Sequence, residues 1–172
     1  PRSSKHTPNF KLLKTQMPYA VFVLCMSLLT TLQISIDVTI VKYLFSPEQA
    51  GNYAAIATVA RIIFFLAGSI IAVMISSTSL LKSSQENFRI LTKSAILVVT
   101  LCGTATMIFS LFPTLVMHLL LGTRYDSYAH LLPLLSLTIF IGSLVSLLSA
   151  YFISLRKYYA GMAVMGGSLL TL

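Results

Sequence analysis

The chain has 172 residues, 56% of them hydrophobic and 9% charged, with 12 Lys+Arg against 4 Asp+Glu and a formal net charge of +8. So few charges argue against a soluble globular domain, where about a quarter of residues are charged, and so much apolar surface excludes a solvated disordered chain. Nucleic-acid binding needs basic residues clustered on a folded face; here they lie between long uncharged runs, so the positive charge reads first as membrane topology.

In chain order, residues 1–17 carry Arg2, Lys5, Lys11 and Lys14 and lack the short apolar core and cleavage site of a signal peptide. They read as a cytoplasmic N-terminal segment. Residues 18–172 read as an all-α transmembrane bundle with about five spans, each a run of roughly 18 or more residues with few charges. The first span covers about residues 18–43, and on it Thr30, Gln33 and Asp37 fall at i, i+3 and i+7, a polar stripe on one helix face. A short loop, Phe45-Ser46-Pro47-Glu48-Gln49, predicts an antiparallel second span over about 50–75, interrupted only by Arg61. There Ala50, Ala54, Ala57, Arg61, Gly68 and Ala72 share one side, while Ile56, Val59, Ile63, Leu66, Ile70 and Met74 cover the other. Small residues permit close helix approach, so the small side is expected to face inward and the bulky side to face lipid.

Residues 76–93 interleave Leu80, Leu81, Phe88 and Leu91 with Lys82, Glu86, Arg89 and Lys93, which predicts an amphipathic segment on the cytoplasmic interface. The third span, 94–121, would make a helix of about 42 Å against a bilayer core of about 30 Å, so it either tilts steeply or breaks near Pro113. The fourth, 131–155, carries Ser136, Ser143, Ser146 and Ala150 as a small-residue stripe that reads as a packing seam. A fifth run, 158–172, ends after too few residues to span. With the start at Pro1, this predicts a piece of a longer protein.

Nine basic residues lie in segments 1–17, 76–93 and 156–157, against only Lys42 and Arg124 in 42–49 and 122–130. The positive-inside rule then puts the N-terminus in the cytoplasm. Seven of the eight Tyr residues lie near span ends, and with no Trp they supply the aromatic belt. Cys25 and Cys102 fall inside spans, where packing is their natural role. His118 and His130 sit near span ends without a neighbouring set of metal ligands. No phosphate-binding G-x-x-x-x-G-K-[ST] loop, no H-E-x-x-H and no Cys pair at metal spacing occurs, and only four acidic residues are present. Catalysis, a cofactor and a metal are therefore not expected.

Asp37 and Arg61 are the two ionisable side chains inside the spans, and such residues usually face a bundle interior or a watery cavity. Counting from the loop, Asp37 lies about 10 Å and Arg61 about 16 Å deep, a difference that an Arg side chain can cover. An ion pair between them would either lock the hairpin or place charge on a cavity that meets a substrate headgroup. With Gln33 and Thr30, these residues form the candidate cavity site.

The stretch from Ile36 to Ala55, with its Asp-containing helix and Ser46-Pro47-Glu48-Gln49-Ala50-Gly51-Asn52-Tyr53 turn, resembles polysaccharide-biosynthesis membrane proteins, the O-antigen-type and capsule-type flippases. A second similarity is Leu121-Gly122-Thr123-Arg124-Tyr125 with the Leu-rich helix after it. The order is that of the C-terminal half of the family, which belongs to a superfamily with multidrug and toxic-compound extruders and lipid II flippases. Where relatives often carry Pro at the cytoplasmic end of the second helix, this chain has Ser76-Ser77. The resemblance implies one lobe of a two-lobe fold around a cavity that opens alternately to either side. It also implies a lipid-linked oligosaccharide as cargo. The implied partners are membrane lipids, the other half of the transporter, and glycosyltransferases or a polymerase of the same pathway. Two other readings are an ion-coupled multidrug exporter, which would favour more acid in its cavity, and a non-transporting membrane scaffold subunit.

Overall fold

The computed structural model describes residues 10–78 and 84–155. All of its elements are helical, with no strand among the described residues: α1 (Phe10–Leu44), α2 (Pro47–Ala60), α3 (Ile62–Thr78), α4 (Ser84–Leu111), α5 (Pro113–Leu121), a 3-10 helix (Thr123–Leu131) and α6 (Leu132–Ser154). Three segments among the described residues are long and apolar enough to cross a membrane: Pro47–Thr78, Gln85–Leu111 and Tyr128–Ser154. Their outer faces carry Phe65 and Val73 on α3, Leu97 and Ile108 on α4, and Leu134, Ile141 and Leu148 on α6, all exposed. Apolar patches of that extent are not left against water. The protein is a helical membrane protein.

Local chemistry sets the helix ends. Between α1 and α2 only Phe45 and Ser46 are non-helical, so the expected five-residue loop is shorter than its sequence implies. Ser46 is the N-cap, with its Oγ accepting from the Gln49 N–H while the Gln49 side chain accepts from the Ser46 N–H at 3.3 Å. Pro47 fills the first helical position, where no N–H is required, and Glu48 meets the positive end of the helix dipole. Three of the five expected loop residues are thus the first turn of α2.

The second expected span is two helices meeting at Arg61, whose ψ of −13° tightens the turn. Hydrogen bonding continues through it, since the Arg61 N–H donates to the Ala57 carbonyl at 3.0 Å and the Phe65 N–H to the Arg61 carbonyl at 3.2 Å. The third expected span leaves helical dihedrals at Phe112 (φ −129°, ψ 54°), because a residue before Pro is pushed out of the helical region, although the Phe112 N–H still donates to the Ile108 carbonyl and the Val116 N–H to the Phe112 carbonyl, each at 3.0 Å. Of the two ways to fit an overlong helix, the break is the one adopted. Residues 84–93 form the first turns of α4, and Ser76, Ser77 and Thr78 close α3. No Gly or Pro interrupts Ser84 to Ile96, so the helix propagates through the charged turns, with Phe88, Arg89 and Lys93 exposed and Asn87 buried. Residues 79–83 and the fifth run, 158–172, lie outside the described residues, as do residues 1–9.

The core lies where α3, α4 and α6 pack against one another. Ile63, Met74, Val98, Cys102 and Leu147 are fully buried there, and the Cys102 thiol donates to the Ile63 carbonyl at 3.5 Å; Cys25, on α1, is exposed. Of the expected seam on α6, Ser136, Ser143 and Ala150 are buried, whereas Ser146 is half-buried and lines a cavity; the Ser143 hydroxyl donates to the Ile139 carbonyl of its own helix. The expectation for the second span holds only in part. Ala50 and Ala57 of the small side are buried, but Ile56, Val59, Ile63 and Met74 of the bulky side are buried as well, while Ala54, Gly68, Leu66 and Ile70 are half-buried and Ala72 is exposed. Three helices leave a wide space between them that branched side chains fill, and the small side serves the approach of α1, which packs chiefly along α2.

Candidate functional site

Arg61 and Asp37 meet: Arg61 Nη2 donates to Asp37 Oδ1 at 3.1 Å, with side chains 21% and 30% exposed. The second carboxylate oxygen, Oδ2, accepts from the Tyr53 hydroxyl at 3.3 Å. Helix geometry explains this set. Asp37 lies seven residues before the end of α1 and Tyr53 six residues after the start of α2, so in an antiparallel hairpin the two are level at about 9–10 Å from the loop. Arg61 is two turns further along, and its long side chain reaches back to the carboxylate. One acid therefore serves two donors from the neighbouring helix. The pair is charge-neutral, and the carboxylate's two oxygens are both engaged, which is what lets it persist away from water.

Tyr53 is the member that sequence reasoning missed, since its position near a span end assigned it to the aromatic belt. The available signal was its depth, equal to that of Asp37 when counted from the same loop. Thr30 and Gln33 lie on α1 with Asp37, but their side chains fall outside the described residues. His118 and His130 are exposed, and among the described residues no group of three metal-ligating side chains converges.

Two cavities flank the hairpin. Toward the loop, about 350 Å³ is lined by Val41, Phe45, Gln49, Tyr53, Tyr128 and Leu131. Tyr128 reaches it because Gly122, at φ 86° and ψ 176°, turns the chain out of α5 into the 3-10 helix, whose Ala129 is buried in the core. Away from the loop, about 280 Å³ lies between α1, α3 and α6, lined by Val23, Ser27, Phe64, Gly68, Ser149 and Ile153 among others. Phe64 and Gly68 continue the face of Arg61, so the ion pair sits between the two spaces.

No protein family, no curated protein and no solved structure matches the chain.

Proposed function

We propose that this chain is one lobe of a flippase of the cytoplasmic membrane, moving a lipid-linked oligosaccharide by alternating access, with the other lobe supplied by chain outside this sequence. The observation that carries the reading is the Asp37–Tyr53–Arg61 cluster between α1 and the α2–α3 junction. A phosphate headgroup crossing a bilayer needs a cation held at depth, and Arg61 meets that need on a helix turn already tightened at its own position. Asp37 keeps the guanidinium neutralised until an anion competes for it. The excess of basic residues on one side supports a cytoplasmic N-terminus, and the resemblance to polysaccharide-biosynthesis flippases supports the five-span arrangement and the glycan cargo. Membrane lipids and the enzymes that build or polymerise the glycan would be its partners.

The test uses the full-length transporter in an export-complementation assay. Arg61→Ala and Arg61→Lys should both cut glycan export, the former at least about tenfold, because a lysine cannot offer the paired donors of a guanidinium. Unchanged export in both variants refutes the reading. The neutrality of the pair favours a second reading, a scaffold subunit in which it only locks the hairpin. Exchange of the two charges (Asp37→Arg with Arg61→Asp) separates them: a lock survives exchange, whereas a headgroup site does not.

A further inference from the structure

Arg61 heads a stripe along one side of α3, where Phe64, Gly68, Ile71 and Ile75 follow it at steps of three and four residues. Ser27 and Val23 continue the side of Asp37 on α1, and Val23 is fourteen residues from Asp37 just as Ile75 is fourteen from Arg61. Both stripes therefore reach about 21 Å beyond the ion pair, away from the loop. With Ser146, Ala150 and Ile153 of α6 they wall the half-open cleft of about 280 Å³. We propose that this cleft seats the single prenyl chain of the lipid whose phosphate meets Arg61. The inference rests on the flippase reading above and adds where, and in which direction, the lipid part of the cargo is held.

The cleft exists because α1 packs chiefly along α2, while α3 and α6 pack on each other and leave α1 standing off both. Its lining is almost wholly apolar, so a polar ligand would lose its hydrogen bonds there and a hydrocarbon would not. Lipid tails are as apolar as the cleft, so a chain is retained by shape and close packing, with no hydrophobic gain. The floor is made of small residues: Ala150 is buried, and a Cβ placed on Gly68 would meet no atom within 4 Å. Phe64, Ile71 and Ile153 stand around it as ridges. Hollows between ridges suit the methyl branches of a prenyl chain better than a straight acyl chain, and so small a volume takes one chain, whereas a glycerophospholipid brings two. Continuity fixes the polar end, since Phe64 is only three residues from Arg61 and a phosphate on the guanidinium delivers its chain to the mouth of the cleft. A lipid so held has its phosphate toward the α1–α2 loop and its chain pointing away, the orientation of the leaflet on the loop side. With the N-terminus cytoplasmic that leaflet is the outer one, so the cleft holds the lipid after translocation.

The experiment uses the full-length protein in phosphatidylcholine nanodiscs, with decaprenyl phosphate as the probe and phosphatidic acid, which carries the same headgroup on two acyl chains, as the control. Titration followed by native mass spectrometry should show saturable binding of decaprenyl phosphate, at least about tenfold tighter than that of phosphatidic acid. Gly68→Leu, which fills the floor, and Ser27→Leu, which fills the cleft from α1, should each weaken it at least about tenfold. Ser69→Leu, on the exposed side of α3, should leave it unchanged. Gly68→Leu should also unfold no earlier than the parent, because the space at Gly68 is open and leucine is the better helix former. Equal binding of the two lipids, unchanged prenyl binding in both cleft variants, or loss of thermal stability in both, the mark of a cleft already filled by protein, overturns the proposal. Binding and export are read separately: unchanged export in the Arg61 variants refutes the transport reading while cleft-dependent binding still stands, and lost export with cleft-independent binding refutes the cleft alone.

Discussion

The contact between α1 and α2 differs in kind from the bundle that α2 shares with α3, α4 and α6. The bundle closes over branched and small apolar side chains with uncharged polar ones such as Asn87, Thr106, Ser136 and Ser143 among them, and none of its buried side chains among the described residues is charged. The hairpin is joined across its interior by a carboxylate, a guanidinium and a phenol, and beside it Leu24, Leu28, Leu32 and Ile40 of α1 remain exposed. Packing of the first kind gives rigidity, since interlocked side chains have few alternative arrangements. Contacts of the second kind are few, directional and exchangeable with a ligand of matching charge.

Substitutions can break that contrast. The largest effect on stability is expected in the bundle: Ile63→Ala should cost about 2–4 kcal/mol through the cavity it leaves, whereas Phe65→Ala, two residues on and 71% exposed, should cost under about 0.5 kcal/mol. Thermal unfolding of both variants in detergent checks this, and similar losses would mean that the bulky side of α3 is not the core side. Gly122→Ala comes next, at about 1–3 kcal/mol, because its φ of 86° is strained for any residue with a Cβ although the space around it is open. The same scan should place Gly122→Ala below the parent but above Ile63→Ala. In the hairpin, Ser46→Ala removes the N-cap of α2 and should cost about 1 kcal/mol. Tyr53→Phe should be mildest, about 0.5–1 kcal/mol, yet alter export more than its stability implies, since it releases one oxygen of Asp37. An export effect no larger than that of Ser46→Ala would make Tyr53 a purely structural partner.

The sequence makes some of this legible for identifiable reasons. Ser46-Pro47-Glu48-Gln49 encodes a helix start in local chemistry alone, and Pro113 dictates the break before it. The meeting of Asp37 with Arg61 follows from counting helical rise on either side of a tight turn. The direction of the α2–α3 faces is harder to read. In a bilayer both the core and the outside are apolar, so Ile56 and Phe65 carry the same hydrophobic signal although one is buried and the other exposed. The tightened turn at Arg61 has no Gly or Pro to announce it. The shared cavity of the two distant turns depends on the tertiary path through α5 and the 3-10 helix, which no local pattern contains.

The two cysteines give the contrast a chemical handle. Cys25 is exposed on α1, twelve residues before Asp37, and Cys102 is buried in the bundle. A maleimide reacts with the thiolate, which forms readily in water and hardly at all in hydrocarbon. In a protein carrying only these two cysteines, modification at Cys25 therefore reports whether that side of α1 is wet or oily, with Cys102 as a silent internal reference. If α1 moves during transport, the rate of that modification is a clock for the movement.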